Sequence, residues 1–274
     1  MKITDVLIKY WGHTQFRLKQ EEVIEQVLQK KDTLAILPTG GGKSICYQIP
    51  TLMQEGICLV ISPLIALMND QIRHLQSKGI KSVSITSGMH YSEIDTALTN
   101  CIYGGVKFLY LSPERLHNNL VQSRIKEMNI NLIAIDEAHC ISEWGHNFRP
   151  SYRHIFEIRK IIDETPILAL TATATNDVIK DIQNNLLFKE ENLIQSSFFR
   201  GNMSYIVDNI EDKNSRLLKV LNKIKSSAII YVGTRKKAKN LTKFLINNSL
   251  SVNYYHGGLP SEVRDKRQAY WTNN

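Results

Sequence analysis

The sequence has no apolar run longer than five of its 274 residues; Ile57–Ile61 and Leu64–Met68 are examples. A helix crossing a bilayer needs about 20 such residues, so the reading excludes a membrane span. The start, Met1-Lys2-Ile3-Thr4-Asp5, lacks the basic-then-apolar design of a secretory leader. Cysteine is scarce, and Cys46, Cys58, Cys101 and Cys140 stand far apart with no CxxC pair. That spacing argues against a disulfide or zinc framework and for reduced, buried thiols. Low-complexity tracts and short-period repeats are also missing. With 43% hydrophobic and 22% charged residues, the chain is expected to be folded, cytoplasmic and free of zinc.

Charge is present, but unevenly. Residues 1–200 hold 21 Lys+Arg against 21 Asp+Glu, whereas residues 201–274 hold 13 against 5 and carry the whole net charge of +8. A basic excess confined to one quarter of the chain fits a surface for a polyanion, nucleic acid first. Arg235-Lys236-Lys237-Ala238-Lys239 reads equally well as a solvated helix face.

Short β-branched and aliphatic runs alternate with helical patterns, the signature of a doubly wound parallel sheet in an α/β fold. The expected strands are 33–37, 58–62, 83–86, 108–111, 132–136 and 167–171, with helices over 15–29, 44–53, 65–76 and 176–187. Those elements complete one domain over residues 1–200. A second cycle is expected over 201–274, with strands at 203–207, 228–232 and 252–255 and helices near 215–224 and 236–247. It reads as the start of a second domain, because it has too few elements to cover both faces of a sheet.

Two motifs carry chemistry. The first is Leu37-Pro38-Thr39-Gly40-Gly41-Gly42-Lys43-Ser44, between an expected strand and an expected helix. Glycines let backbone N–H groups wrap a phosphate, the helix N-terminus adds partial positive charge, Lys43 supplies a point charge, and the Ser44 hydroxyl suits Mg²⁺. Leu37 stands where the strict P-loop pattern places glycine. The second is Ile133-Ala134-Ile135-Asp136-Glu137-Ala138-His139, an apolar strand ending in two carboxylates. Ligands of open parallel sheets bind at that end of a strand. There Asp136 suits Mg²⁺ and Glu137 suits removal of a proton from an attacking water. Alone, the pair would read as an ordinary helix cap.

Further along, Trp144 and Phe148 flank Gly145 and His146, with Arg149 next. Exposed aromatics stack on unpaired bases without sequence preference, and an adjacent Arg pairs a phosphate or stacks on a ring. Core packing of Trp144 and Phe148 is the competing reading.

These blocks resemble the superfamily 2 helicases and, within them, the RecQ family. The likeness runs over about residues 10–270. It takes in Phe16-Arg17-x-x-Gln20, Pro38–Ser44, Ser62-Pro63-Leu64-Ile65-Ala66-Leu67-Met68, Leu111-Ser112-Pro113-Glu114-Arg115-Leu116, the DEAH box Asp136–His139, Trp144–Pro150, Leu170–Thr175 and Tyr255-His256-Gly257-Gly258-Leu259. The resemblance implies two RecA-like domains, the second incomplete here. It also implies ATP and Mg²⁺ as cofactors and 3′-to-5′ movement on single-stranded or forked DNA in repair or recombination. It assigns adenine recognition to Arg17 and Gln20, with His13 at the place of a stacking aromatic. DNA-backbone contacts fall to Ser62, Asn69, Gln71, Ser112 and Arg115, base contacts to the Trp144–Arg149 loop, and coupling to Thr171 and Thr173. Asn147 replaces a customary Asp of that loop.

Later family motifs, including an arginine that reaches the γ-phosphate, a four-Cys zinc module and a winged helix, find no match after Leu259. The chain is therefore expected to be the front part of a longer helicase. A competing expectation is an ATP- and DNA-binding module with little turnover, and a third is an RNA-directed helicase of the same superfamily.

Overall fold

The computed structural model describes residues 2–86, 88–144, 148–199, 201–224 and 226–273. It divides into two compact units, residues 1–200 and 201–274.

The first unit is built on seven parallel strands: β1 (Thr33–Ile36), β2 (Ile57–Ile61), β3 (Ser82–Ile85), β4 (Phe108–Leu111), β5 (Ile130–Ile135), β6 (Ile167–Thr171) and β7 (Leu193–Gln195). Their order across the sheet is β3-β4-β2-β5-β6-β1-β7. Between them run helices α1 (Ile3–Trp11), α2 (Gln20–Leu28), α3 (Ile45–Met53), α4 (Ile65–Gln76), α5 (Tyr91–Tyr103), α6 (Asn119–Glu127) and α7 (Asn176–Asn185). The six expected strands and the four expected helices of this unit are present; β4, β6 and α4 have the expected ends, and no other end is shifted by more than five residues. Helices α1, α5 and α6 and the short edge strand β7 are additions.

The strands are apolar throughout because both faces of the sheet are covered. On one face Ile133 and Ile135 of β5 pack with Ile94 and Leu98 of α5, Val121 of α6 and Ile182 of α7. On the other face Leu132 and Ala134 meet Val23 of α2, Tyr47 of α3 and Met68 of α4. Outside that layer, Val6 and Leu7 of α1 join Ile24 and Ile49 in a smaller cluster, with Trp11 packed against it. All four cysteines are buried and unpaired, and burial pushes the Cys46, Cys58 and Cys101 thiols up to about 12.

The second unit holds helices α8 (Lys213–Lys223), α9 (Arg235–Asn247) and α10 (Ser261–Asn273). The strands expected at 203–207, 228–232 and 252–255 do not form, and no strand occurs among its described residues. Many of its β-branched and aromatic side chains lack cover: Val207 is 96% exposed and Tyr231 90%. Extended backbone needs a neighbouring ladder and an apolar face to pack on, and these segments have neither. Among the described residues of this unit only Thr242 and Leu245 are buried.

Candidate functional site

Strands β2, β5, β6 and β1 lie side by side, in register Ile61↔Ile135, Ile135↔Ala169 and Thr171↔Ile36. Four segments leaving their C-terminal ends therefore share one edge. These are Ser62-Pro63, Asp136-Glu137, Thr171–Thr173 and the Pro38–Ser44 loop.

The loop depends on its glycines. Gly42 has φ +72°, and a Cβ there would sit 2.4 Å from Gln20 Nε2; a Cβ on Gly41 would lie 2.8 Å from the Pro38 carbonyl oxygen. Helix α3 starts at Ile45, immediately beyond, so its N-terminus faces the same space. Lys43 and Ser44 are half-buried, whereas Thr39 and Gly40 are exposed.

Gln20 is 2% exposed. Its amide donates to the carbonyls of Gly41 and Gly42, both at 3.0 Å, and accepts the Arg17 N–H at 2.9 Å. The resemblance assigns Gln20 to adenine recognition; in the structure its side chain is committed to the backbone of the phosphate loop. That loop-bracing role had no signal in sequence spacing, since the partners lie more than twenty positions away. Arg17 and His13 are both exposed on the approach to α2.

At the end of β5, Asp136 N–H makes the last ladder bond, to Ile61 C=O at 2.9 Å. Burial, then the neighbouring Glu137 charge, raises the Asp136 carboxyl to about 6. Ser62, 2% exposed, lies close enough to favour the ionised form, yet its Oγ forms no properly oriented hydrogen bond. Ser62, which the resemblance assigns to the DNA backbone, is buried beside this carboxylate. Glu137 adopts φ 50° and ψ 46°, a left-handed conformation unusual for a side chain with a Cβ. Its Oε2 lies 3.3 Å from His139 Nδ1, which holds its carboxyl below the ordinary range. His139 Nδ1 also lies 2.9 Å from Thr171 Oγ1, which in turn donates to Thr173 C=O at 3.1 Å. The Cys140 thiol near Nε2 and the Glu137 carboxylate raise the His139 imidazole to about 9. Thr171 is fully buried and Thr173 is exposed.

The donors available here suit a hard cation bound with a phosphate chain. Ser44 hydroxyl and Asp136 carboxylate are oxygen ligands, Asp136 is half-buried with its proton affinity raised, and Ser62 Oγ is an orphaned buried polar atom next to it. The Lys43 charge favours the ionised forms of both carboxylates.

Beyond the carboxylates, Trp144 is 78% exposed, so the core reading is overturned for it. Phe148 is half-buried beneath the Arg153 guanidinium, 5.1 Å from the ring centre. Arg149 donates through Nη1 to the Pro63 carbonyl at 2.9 Å, which binds this side chain to the site rather than leaving it free. His146, with Gly145 and Asn147, lies outside the described residues. Ser112 is buried beside Glu114, and Arg115 donates to Thr86 C=O at 2.6 Å, so neither side chain stands free as a DNA contact. Asn69 and Gln71 are half-buried on α4, with Gln71 accepting from Gln48 at 3.3 Å.

Residues 17–182, a span that includes all four segments of this edge, match the DEAD/DEAH box helicase profile. The chain is 42% identical over 272 residues to the ATP-dependent DNA helicase RecQ of Bacillus subtilis (strain 168), covering 98% of this chain and 46% of that protein. It is 39% identical over 265 residues to the RecQ of Pasteurella multocida (strain Pm70), covering 96% and 42% respectively. The chain thus spans less than half the length of these two relatives. Among solved structures, that of the DUF1998 helicase MrfA matches with a TM-score of 0.72 at 18% identity, over 96% of this chain and 43% of that one, a likeness of fold. With its phosphate loop and Asp136–His139 box on one edge of a parallel sheet, the chain belongs to the DEAD/DEAH box helicase family.

Proposed function

We propose that this chain is the nucleotide-binding part of a RecQ-type, ATP-dependent DNA helicase. The reading extends to movement along single-stranded or forked DNA with 3′-to-5′ polarity, in the cytoplasm, in the service of DNA repair and recombination. The observation that carries it is the convergence of the glycine loop, the Asp136–Glu137 pair and the half-buried His139–Thr171 contact on one strand edge, with exposed Trp144 seven residues beyond Glu137.

In this reading the loop amides and Lys43 hold the phosphates of ATP, His13 and Arg17 lie at the adenine side, and Gln20 braces the loop. Ser44 and Asp136 would hold Mg²⁺, which neutralises charge on the phosphates when bound. Glu137, ionised at neutral pH, accepts a proton from the water whose oxygen attacks the γ-phosphorus, as the bond to ADP breaks. His139 keeps the Glu137 carboxylate aimed, and Thr171 fixes the His139 ring. Trp144 stacks on an unpaired base.

ATP hydrolysis by this chain, with and without single-stranded DNA, tests the reading, with Lys43→Ala as the blank. Removing one phosphate-stabilising group is expected to lower kcat by on the order of 10²–10³. Unchanged DNA-stimulated turnover in Lys43→Ala would overturn the site. A second reading, an ATP- and DNA-binding module with little turnover, draws on the uncovered second unit, where Val207 and Tyr231 stay exposed. Binding of ATP and DNA without hydrolysis would select it, and stronger stimulation by RNA than by DNA would select the RNA-directed alternative.

A further inference from the structure

Tyr152 is only 1% exposed and sits in the apolar layer with Ile133, Ile135 and Ile155. A phenylalanine would fill the same space, so the hydroxyl needs a partner inside the protein. It donates to the carbonyl of Asp136 at 3.0 Å. That carbonyl lies one residue past the end of β5, where the chain leaves the ladder and enters the left-handed kink at Glu137. The N–H of the same peptide, that of Glu137, donates to Asp136 Oδ1 at 3.0 Å. Both polar groups of the Asp136–Glu137 peptide are therefore held, and this peptide sets the directions of the two carboxylates on either side of it.

The hydroxyl reaches the peptide from the segment that follows the aromatic residues. Tyr152 belongs to a 3₁₀ stretch, Pro150–Lys160, and its N–H donates to Arg149 C=O at 2.9 Å. Arg149 N–H donates to Cys140 C=O at 2.9 Å, and its guanidinium donates to Pro63 C=O at 2.9 Å. One short turn thus separates Arg149 from the hydroxyl on the Asp136–Glu137 peptide. Burial first, and then the charges of neighbouring groups, hold the phenol well above its ordinary range, so it remains a donor at any working pH.

We propose that Tyr152 is a positioning residue whose hydroxyl fixes the Asp136–Glu137 peptide and passes displacement of Phe148 and Arg149 on to Glu137. The proposal rests on the ATP-hydrolysing, DNA-responsive reading above and adds to it the residue that links the two events. A link of this kind is reciprocal for binding: if DNA changes nucleotide affinity by a factor, nucleotide changes DNA affinity by the same factor.

The test compares the parent chain with Tyr152→Phe in two measurements. One is the factor by which a poly-dT oligonucleotide changes the Kd of a non-hydrolysable ATP analogue with Mg²⁺. The other is kcat and KM for ATP with saturating oligonucleotide. The expected result is an analogue Kd without DNA within twofold of the parent and a thermal melt within a few degrees. The DNA factor falls towards one, and kcat falls tenfold or more with KM little changed. A DNA factor and kcat both within twofold of the parent would overturn the proposal, as would a parent whose analogue affinity ignores DNA. If the parent binds analogue and DNA cooperatively yet hydrolyses no ATP, the hydrolytic reading fails by itself, and the analogue measurement still decides the role of Tyr152.

Discussion

The two units use similar sequence material and reach different ends. Residues 130–135 and residues 228–232 are both short runs rich in β-branched and aliphatic side chains. In the first unit such a run becomes β5, paired on both sides by β2 and β6 and covered on both faces. In the second unit, Ile229 and Tyr231 stay largely exposed and no strand forms among the described residues. A β-forming run becomes a strand only where partners for its backbone and cover for its side chains arrive together. The charge divides the other way, for the well-packed unit is electrically balanced and the uncovered one carries the +8.

The largest expected effect that sharpens this contrast is in the core. Ile133→Ala, at a fully buried position of β5, should cost roughly 2–5 kcal/mol in urea unfolding. The matching change in the second unit, Ile229→Ala, should stay within about 0.5 kcal/mol. Equal costs would break the comparison, because they would reveal a core around residue 229.

Binding of single-stranded DNA should separate the units next. Trp144→Ala is expected to lose about 1–3 kcal/mol of affinity, with the salt dependence unchanged, because stacking is not an ionic interaction. Lys236→Glu combined with Lys239→Glu should instead flatten the slope of log K against log salt by about 0.7 for each phosphate no longer neutralised. A slope unchanged from the parent's in the lysine variant would mean that the α9 charges are only a solvated face.

A smaller effect comes from His139. Its folded-state pKa is raised to about 9, so the protonated ring stabilises the first unit fully below its unfolded value near 6.5. That contribution is lost as pH rises from there through 9. Urea midpoints in EDTA should therefore drop over this window in the parent, and His139→Gln should flatten the drop. His139 and its partners Glu137 and Thr171 all belong to the first unit, so hydrogen exchange in the second unit should show no such change.

Much of the first unit was legible in sequence because its signals are local. A four- or five-residue aliphatic run bounded by turns marks a buried strand, and β4 and β6 have the expected ends. The phosphate loop and the carboxylate pair announced themselves through residue types that few other settings require. Gln20, Ser62, Arg115 and Tyr152 were not legible in the same way. Gln20 is tied to a loop more than twenty residues later, and Tyr152 reaches a carbonyl sixteen residues back, along no periodic pattern. Ser62 and Arg115 sit in loops after strands, where exposure is the default expectation, but packing of neighbouring loops enclosed the first and engaged the second.

The sequence by itself determined the α/β class, the strand–loop–helix of the phosphate site, the carboxylates at the end of β5 and the separation of charge between the units. Each of these follows from residue type and short-range spacing. Tertiary structure decided which strand ends became neighbours, where the Gln20 amide and the Tyr152 hydroxyl found partners, and why the β-forming runs after residue 200 stayed unpaired. Those outcomes depend on backbone groups and apolar faces contributed by distant parts of the chain, and no local pattern specifies whether such partners will be in place.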